Sequence, residues 1–472
     1  MLFHSVEFAL FFAVVALVYF QLGRRGQIAL LLVASYFFYG WWRWEYTGLL
    51  VFSTGLNYAG ALGIRRVASP TWRRVLLVVT VALNLGVLAF FKYLELLLRT
   101  AASLLGLLGA DVAVAPAAAW MPWYVLPIGI SFYTFQTLSY TIDVYRGVLT
   151  PTRNPLKVAL FVCYFPQLIA GPVLRGDELL PQMDARHRFD WDRIRLGLLL
   201  VFWGLLKKVC LADNLAPLVG EVYAAPAAFS GAALLLATYC FSFQIYFDFS
   251  GYTDIAIGLA QILGFKLIVN FNRPYLAANI TVFWRRWHIS LSRWLRDYLY
   301  IPLGGNRISA ARTHVNLMLT MLLGGLWHGA SWNFVVWGGL HGLALMAHKA
   351  WRGAHPRDRQ RLNPLAVLLT FHFVCLTWIF FRAPDFATAW QVLAGIATWQ
   401  AGASLDFTVP LFVFGFILAV QLYQETRGEI RQRVDRVLRR SPCLAGGFLY
   451  TAVALALILL ARGEEAFIYF QF

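Results

Sequence analysis

Residues 283–307 read FWRRWHISLSRWLRDYLYIPLGGNR. The large apolar side chains fall at Trp284, Trp287, Leu291, Trp294, Leu295 and Tyr298. That spacing predicts one helix with a narrow apolar stripe. Arg285, Arg286, Ser292, Arg293 and Arg296 occupy the other side, so one face is greasy and the other strongly basic. Pro302 and the Gly304-Gly305 pair supply the stop signal. His288 sits at the edge of the stripe, where its ring can point inward. About forty residues later comes a second histidine, His328, in GGLWHGASW at 324–332.

The composition says what surrounds these histidines. Of 472 residues, 60% are hydrophobic and only 13% charged. Soluble chains run nearer 45–50% apolar, and repeated apolar runs of spanning length imply an all-α, polytopic membrane protein. The N-terminal MLFHSVEFALFF lacks a basic n-region and a convincing small-residue cleavage site, so it reads as a retained span. No composition shift marks a second, soluble domain, and residues 1–472 read as a single domain. Cys163, Cys210, Cys240, Cys375 and Cys443 are scattered singly, with neither disulfide nor zinc spacing.

A net charge of +17 raises the possibility of a nucleic-acid partner, but its distribution argues otherwise. The loops 24–25, 65–74, 146–157, 175–195, 266–312, 349–361 and 427–440 hold 33 of the 40 Lys and Arg. Basic loops between apolar spans are the positive-inside pattern. Spans fall near 6–22, 28–42, 46–64, 75–98, 123–142, 196–212, 231–262, 313–328, 331–348, 364–381, 407–424 and 444–462. With the basic loops cytoplasmic, this gives roughly a dozen crossings and both termini outside. VALFVCYFPQLIAGP at 158–172 looks re-entrant, and WWRWEY at 41–46 is an interfacial aromatic belt. Lys92 and Glu95 are one turn apart and predicted to pair. PIGISFYTFQ at 127–136 places Pro, Gly and small polar residues inside a span, which predicts a kink.

FSFQIYFDFSGYTDIAIG at 241–258 carries Asp248 and Asp254 in a hydrophobic helix. An ionisable group in a span is a functional candidate by default; the competing reading is a polar network locking neighbouring helices. Among nine histidines, His341 and His372 lie in spans without unusual company. His328 is flanked by Gly324, Gly325 and Gly329, which permit close approach. Burial against Trp327 and Trp332 would keep its ring neutral, the state a general base requires. No G-x-S-x-G elbow, phosphate loop or H-E-x-x-H helix occurs. No spacing supports a third metal ligand, so no bound metal is expected.

Three segments, 247–265, 270–307 and LWHGASWNFVVWGGLHG at 326–342, resemble the core of the membrane-bound O-acyltransferases (MBOAT). The resemblance is to the bacterial branch that contains alginate O-acetylase and teichoic-acid D-alanyl transferase. The stretches 125–147, FPQLIAGP at 165–172 and the terminal FIYFQF at 467–472 also match. It implies a fold of roughly 11–12 transmembrane helices with re-entrant and interfacial helices and a thinned centre. The catalytic core would span about 240–345 and the tail 463–472. It also implies that His328 is catalytic and His288 is the second functional histidine. Arg285, Arg286, Arg293, Asp248, Asp254 and Trp327 become donor-binding or pore candidates, and Tyr469 in the tail a candidate acyl relay.

The implied activity is transfer of an acetyl group from a cytosolic thioester, acetyl-CoA or an acyl-carrier protein, to an exported, alginate-like polysaccharide. No cofactor is expected to stay bound. The expected setting is the bacterial inner membrane, with lipids and a periplasmic polysaccharide O-acetyltransferase as partners and no nucleic acid. D-alanyl transfer to teichoic acid is the alternative within the family. A transporter of a small anion or lipid-linked sugar is the alternative outside it, although no internal repeat supports one.

Overall fold

The protein was analysed as a computed structural model, which describes residues 1–110, 112–121, 124–169, 171–354, 363–407, 410, 414–415, 417, 419–421, 451 and 467. Their regular secondary structure is helical, joined by turns and loops, with one isolated bridge between Phe229 and Ala403. They form two compact units, 1–194 with 259–268 and 195–258 with 269–472. Among the described residues, four helical runs are long and apolar enough to cross a bilayer: Trp44–Arg66, Pro70–Leu107, Gly231–Leu263 and Pro364–Arg382. Tyr469, Cys443 and the predicted span at 444–462, apart from Thr451, lie outside the described residues, as does part of that at 407–424.

The first unit contains α1 (Val6–Tyr19), α2 (Arg24–Gly40), α3 (Thr47–Arg66), α4 (Pro70–Leu88), α5 (Leu94–Leu107), α6 (Ile130–Arg146), α7 (Pro155–Cys163) and α8 (Phe165–Leu168). An uncharged lock joins α3, α4 and α6. Asn57 Nδ2 donates to Asn84 Oδ1 at 3.0 Å, and Asn84 Nδ2 returns to Asn57 Oδ1 at 3.3 Å. Thr141 Oγ1 donates to Asn57 Oδ1 at 2.8 Å, and Ser53 Oγ donates to Asn84 Oδ1 at 3.2 Å. Each of these four buried side chains thereby gains a partner.

The predicted re-entrant piece is broken between α7 and α8. Asn154 caps the start of α7, with Pro155 at its first position. Past the break Ser35 Oγ accepts the Phe165 N–H at 3.1 Å, and before it Gln136 donates to the Phe161 carbonyl. Side chains thus satisfy the interrupted backbone, as a buried break requires. The predicted kink at 127–136 is instead a helix start. Gly129, at φ +74°, precedes α6, and a Cβ there would lie 2.8 Å from the Leu168 carbonyl oxygen. The structure engages Lys92 with Ser131 at 3.3 Å, while Glu95 pairs with Arg99 at 3.7 Å.

The second unit begins within α9 (Trp191–Leu205) and continues through α10 (Asp213–Ala224), α11 (Gly231–Leu263), α12 (Ile280–Arg286) and α13 (Ile289–Leu295). It continues with α14 (Ala310–His328), α15 (Trp332–Ala354), α16 (Pro364–Arg382) and α17 (Phe386–Ala397). Helices α14 and α15 form a tight hairpin. A Cβ on Gly325 would meet the Phe334 carbonyl oxygen at 2.2 Å, and one on Gly338 would meet that of Met321 at 2.3 Å. Small residues at such crossings let backbones touch and gain packing where apolar burial gives no driving force.

Candidate active site

The basic-aromatic segment is two helices, which corrects the expectation of one. α12 stops at Arg286, and α13 restarts at Ile289. Between them His288 adopts a left-handed backbone, φ +42° and ψ +55°, a strained conformation for a side-chain-bearing residue. Asn270 braces the new start: its carbonyl accepts the Ile289 N–H at 2.9 Å and its Oδ1 the Ser290 N–H at 3.0 Å. Asn279 Oδ1 caps the other helix, accepting the Val282 N–H at 2.9 Å. The break turns the His288 ring fully inward, at 0% exposure.

Neither seven-residue helix is long enough to cross a bilayer. Burial lowers the pKa of His288, because removing water disfavours the imidazolium. Phe249 of α11 packs edge-on against this ring at 4.7 Å between centroids.

His328 ends α14 and is 4% exposed. Its ring centroid lies 6.3 Å from that of His288, and Trp327 adjoins both, at 6.0 Å from His288 and 5.0 Å from His328. The three residues named from the sequence therefore meet in one buried cluster. The aromatic wall differs in one member. Trp332 is 57% exposed, whereas Trp337 lies perpendicular to His328 at 5.1 Å, with Phe381 at 5.4 Å. Because α15 starts at Trp332, its first residue points away and a residue more than a turn further along reaches back to the end of α14.

The intramembrane aspartates meet lysines that the sequence reading had passed over. Lys208 Nζ sits 2.7 Å from both Asp213 and Asp248, all three buried, and Lys207 Nζ lies 2.6 Å from Asp254. A glycine seam makes this possible. A Cβ on Gly204 would lie 2.5 Å from the Gly251 carbonyl oxygen, and one on Gly258 would lie 2.6 Å from that of Gly197. Helices α9 and α11 therefore touch backbone to backbone, and the lysines just beyond α9 reach the aspartates. The pairing at seven-residue intervals, 197 and 204 against 251 and 258, was a signal available in the sequence. Lys208 also lies over the Tyr252 ring at 5.7 Å, and Phe467 of the tail packs on Tyr252 at 4.4 Å and Phe249 at 5.8 Å.

The arginines form a graded surface: Arg285 is exposed, while Arg286 and Arg293 are half-buried. Arg286 donates to the Arg273 carbonyl at 3.4 Å. His341, set aside in the sequence, is fully buried among Trp337 (4.8 Å), Trp284 (5.2 Å) and Phe283 (6.1 Å). Thr377 Oγ1 lies 2.7 Å from the Val374 carbonyl oxygen and 3.0 Å from His341 Nε2. Among the described residues, no group of three His, Cys, Asp or Glu is placed to hold a metal ion.

A model of the membrane-bound O-acyltransferase family matches residues 149–383. A probable alginate O-acetylase of Pseudomonas aeruginosa is 44% identical over 85% of this chain and 76% of its own length. Another from Pseudomonas putida is 38% identical across the full length of both chains. A peptidoglycan O-acetyltransferase of Helicobacter pylori is 39% identical over 78% of this chain and 73% of its own. With its buried histidine pair and its apolar spans, this chain belongs to the membrane-bound O-acyltransferase family, as a multi-pass O-acyltransferase of the inner membrane.

Proposed function

We propose that this enzyme takes an acetyl group from a cytosolic thioester, acetyl-CoA or the thioester of an acyl-carrier protein, for O-acetylation of an exported, alginate-like polysaccharide. The juxtaposition of His288 and His328 around Trp327, in a chain similar to O-acetylases of exported polymers, carries this reading. His328 acts as general base and accepts the proton of the attacking hydroxyl. As the C–S bond breaks, the proton passes to the departing thiolate. His288, held in place by its backbone and by Asn270, orients the hydroxyl. Arg285, Arg286 and Arg293 attract the donor's phosphates.

Residues 1–472 act as one catalytic domain, with a core at about 240–345; α11 runs unbroken through both compact units, which supports this. A periplasmic polysaccharide O-acetyltransferase receives the acetyl group, and lipids surround the spans. Tyr469, in the tail at 463–472, serves as the relay: its phenol oxygen bonds to the acetyl carbon, the thiol leaves, and the aryl ester passes the group on. The buried seat of Phe467 on α11 supports a docked tail.

His328→Ala tests the base. Loss of about 10²–10⁴-fold in acetyl transfer, with normal membrane abundance, is expected; near-normal transfer would refute the assignment. Tyr469→Phe tests the relay, since it keeps the ring but removes the nucleophile. Normal transfer by that variant would reduce the tail to an anchor.

A further inference from the structure

The proposed transfer leaves one requirement unassigned. When the hydroxyl oxygen bonds to the thioester carbon, the C=O π pair moves onto oxygen and an oxyanion forms. The His328 imidazole takes the hydroxyl proton in the same step. When the oxyanion collapses, the C–S bond breaks and the thiolate recovers that proton. Stabilising the intermediate needs a preorganised donor in a water-excluded site, and such donors dominate catalysis of acyl transfer. His328 stands at the C-terminal end of α14, where helix backbones present carbonyls and not N–H groups.

Resting on that reading, we propose that the Trp337 indole N–H is the oxyanion donor, which makes Trp337 a catalytic residue. Two observations point to it. The Trp337 ring is 1% exposed and stands perpendicular to His328 at 5.1 Å. Its Nε1 is buried and has no hydrogen-bond partner among the described residues. A buried N–H without an acceptor is costly, and beside the proposed base it is placed for an acceptor that arrives during the reaction.

Among the described residues Trp284 and Trp287 also carry a buried Nε1 without a partner, so the contact with His328 is what selects Trp337. The neighbouring indole is satisfied. Trp378 is stacked on Trp337 at 5.5 Å, and its Nε1 donates to Tyr275 Oη at 3.2 Å. The ring of Trp337 is fixed on several sides, by Trp378, by Phe381 at 5.3 Å and by His341 at 4.8 Å. A donor that acts without reorganising needs this kind of confinement.

The test replaces the N–H and keeps the ring. Genetically encoded benzothienylalanine, with sulfur in place of the indole N–H, is installed at 337 and, separately, at 378. The full-length membrane enzyme is then assayed for thioester consumption and acetyl transfer. Expected is a kcat lower by about 10²–10³-fold at 337 with KM for the thioester unchanged, and a near-normal kcat at 378. Equal losses at both positions, or a raised KM with kcat preserved, would mean packing alone and overturn the proposal. So would a 337 analogue within about threefold of wild-type kcat, the range of an ordinary packing change. His328→Ala is run alongside. If it is inactive while the 337 analogue is normal, only the oxyanion role fails; if it is active, the general-base reading fails as well.

Discussion

The two compact units each bury a polar lock between helices, and they build it from different chemistry. The first uses amides and hydroxyls: Asn57, Asn84, Ser53 and Thr141 satisfy one another without charge. The second uses ions, with Lys208 shared by Asp213 and Asp248. An amide lock needs no counter-charge, and each lost bond is a local loss. An ionic lock is closer to all-or-none, because a carboxylate stripped of its cation in a dry interior is far costlier than a lost amide bond. The charged lock is also the one on α11, beside Phe249, which touches His288. The unit that carries the site accepts the more demanding fastening.

Breaking the ionic lock should show the largest effect. Lys208→Met is expected to destabilise the protein by about 3–5 kcal/mol, visible as lost membrane abundance and a lower Tm in detergent. Removing the whole set, with Lys208, Asp213 and Asp248 all replaced by leucine or methionine, should recover most of that stability, since a well-packed apolar replacement is often neutral. A triple variant no better than Lys208→Met would contradict the all-or-none picture.

Asn57→Leu should cost less, about 1–3 kcal/mol, because Asn84 loses two hydrogen bonds and Thr141 one, none of them charged. Melting of the purified protein measures it. A loss equal to that of Lys208→Met would erase the distinction between the locks.

The smallest effect belongs to a histidine of the first unit. His187 lies in a basic loop, its ring tilted against Phe265 at 4.6 Å, with Nε2 2.9 Å from the Gln182 carbonyl. Burial lowers its pKa, so the folded state binds fewer protons than the unfolded chain. Its contribution is therefore complete above the ordinary histidine pKa, about 6.5, and is lost as pH falls from there through the lowered value. For a half-exposed ring the change should be under about 1 kcal/mol. Melting at pH 5.5 and 7.5, wild type against His187→Phe, should show a smaller pH difference in the variant.

Much of the site was legible in the sequence for definite reasons. Histidines between tryptophans and glycines are conspicuous in an apolar chain, and His288, His328 and Trp327 do meet. The apolar stripe was also readable, because Trp287, Leu291, Trp294, Leu295 and Tyr298 are all buried. The break at His288 left no mark: neither Gly nor Pro stands there, and a left-handed histidine is imposed by Asn270, eighteen residues upstream. Lys207 and Lys208 read as ordinary basic residues until the glycine seam brought them to Asp254 and Asp248. Beyond Trp337 on its own helix, the neighbours of His341, Phe283, Trp284 and Thr377, come from other helices and leave no local signature.

The left-handed backbone at His288 changes how a mutational scan of this enzyme must be interpreted. Alanine at 288 removes the imidazole and also forces a methyl-bearing residue to hold φ +42°, a conformation L-residues other than glycine adopt at a cost. Glycine removes the same ring and relaxes the backbone. The glycine variant should thus be the better-folded of the two, and it leaves a void shaped like the missing ring. Free imidazole added to His288→Gly is the natural complement for that void. Restored turnover with glycine but not with alanine would separate the chemistry of the ring from the architecture of the turn that carries it.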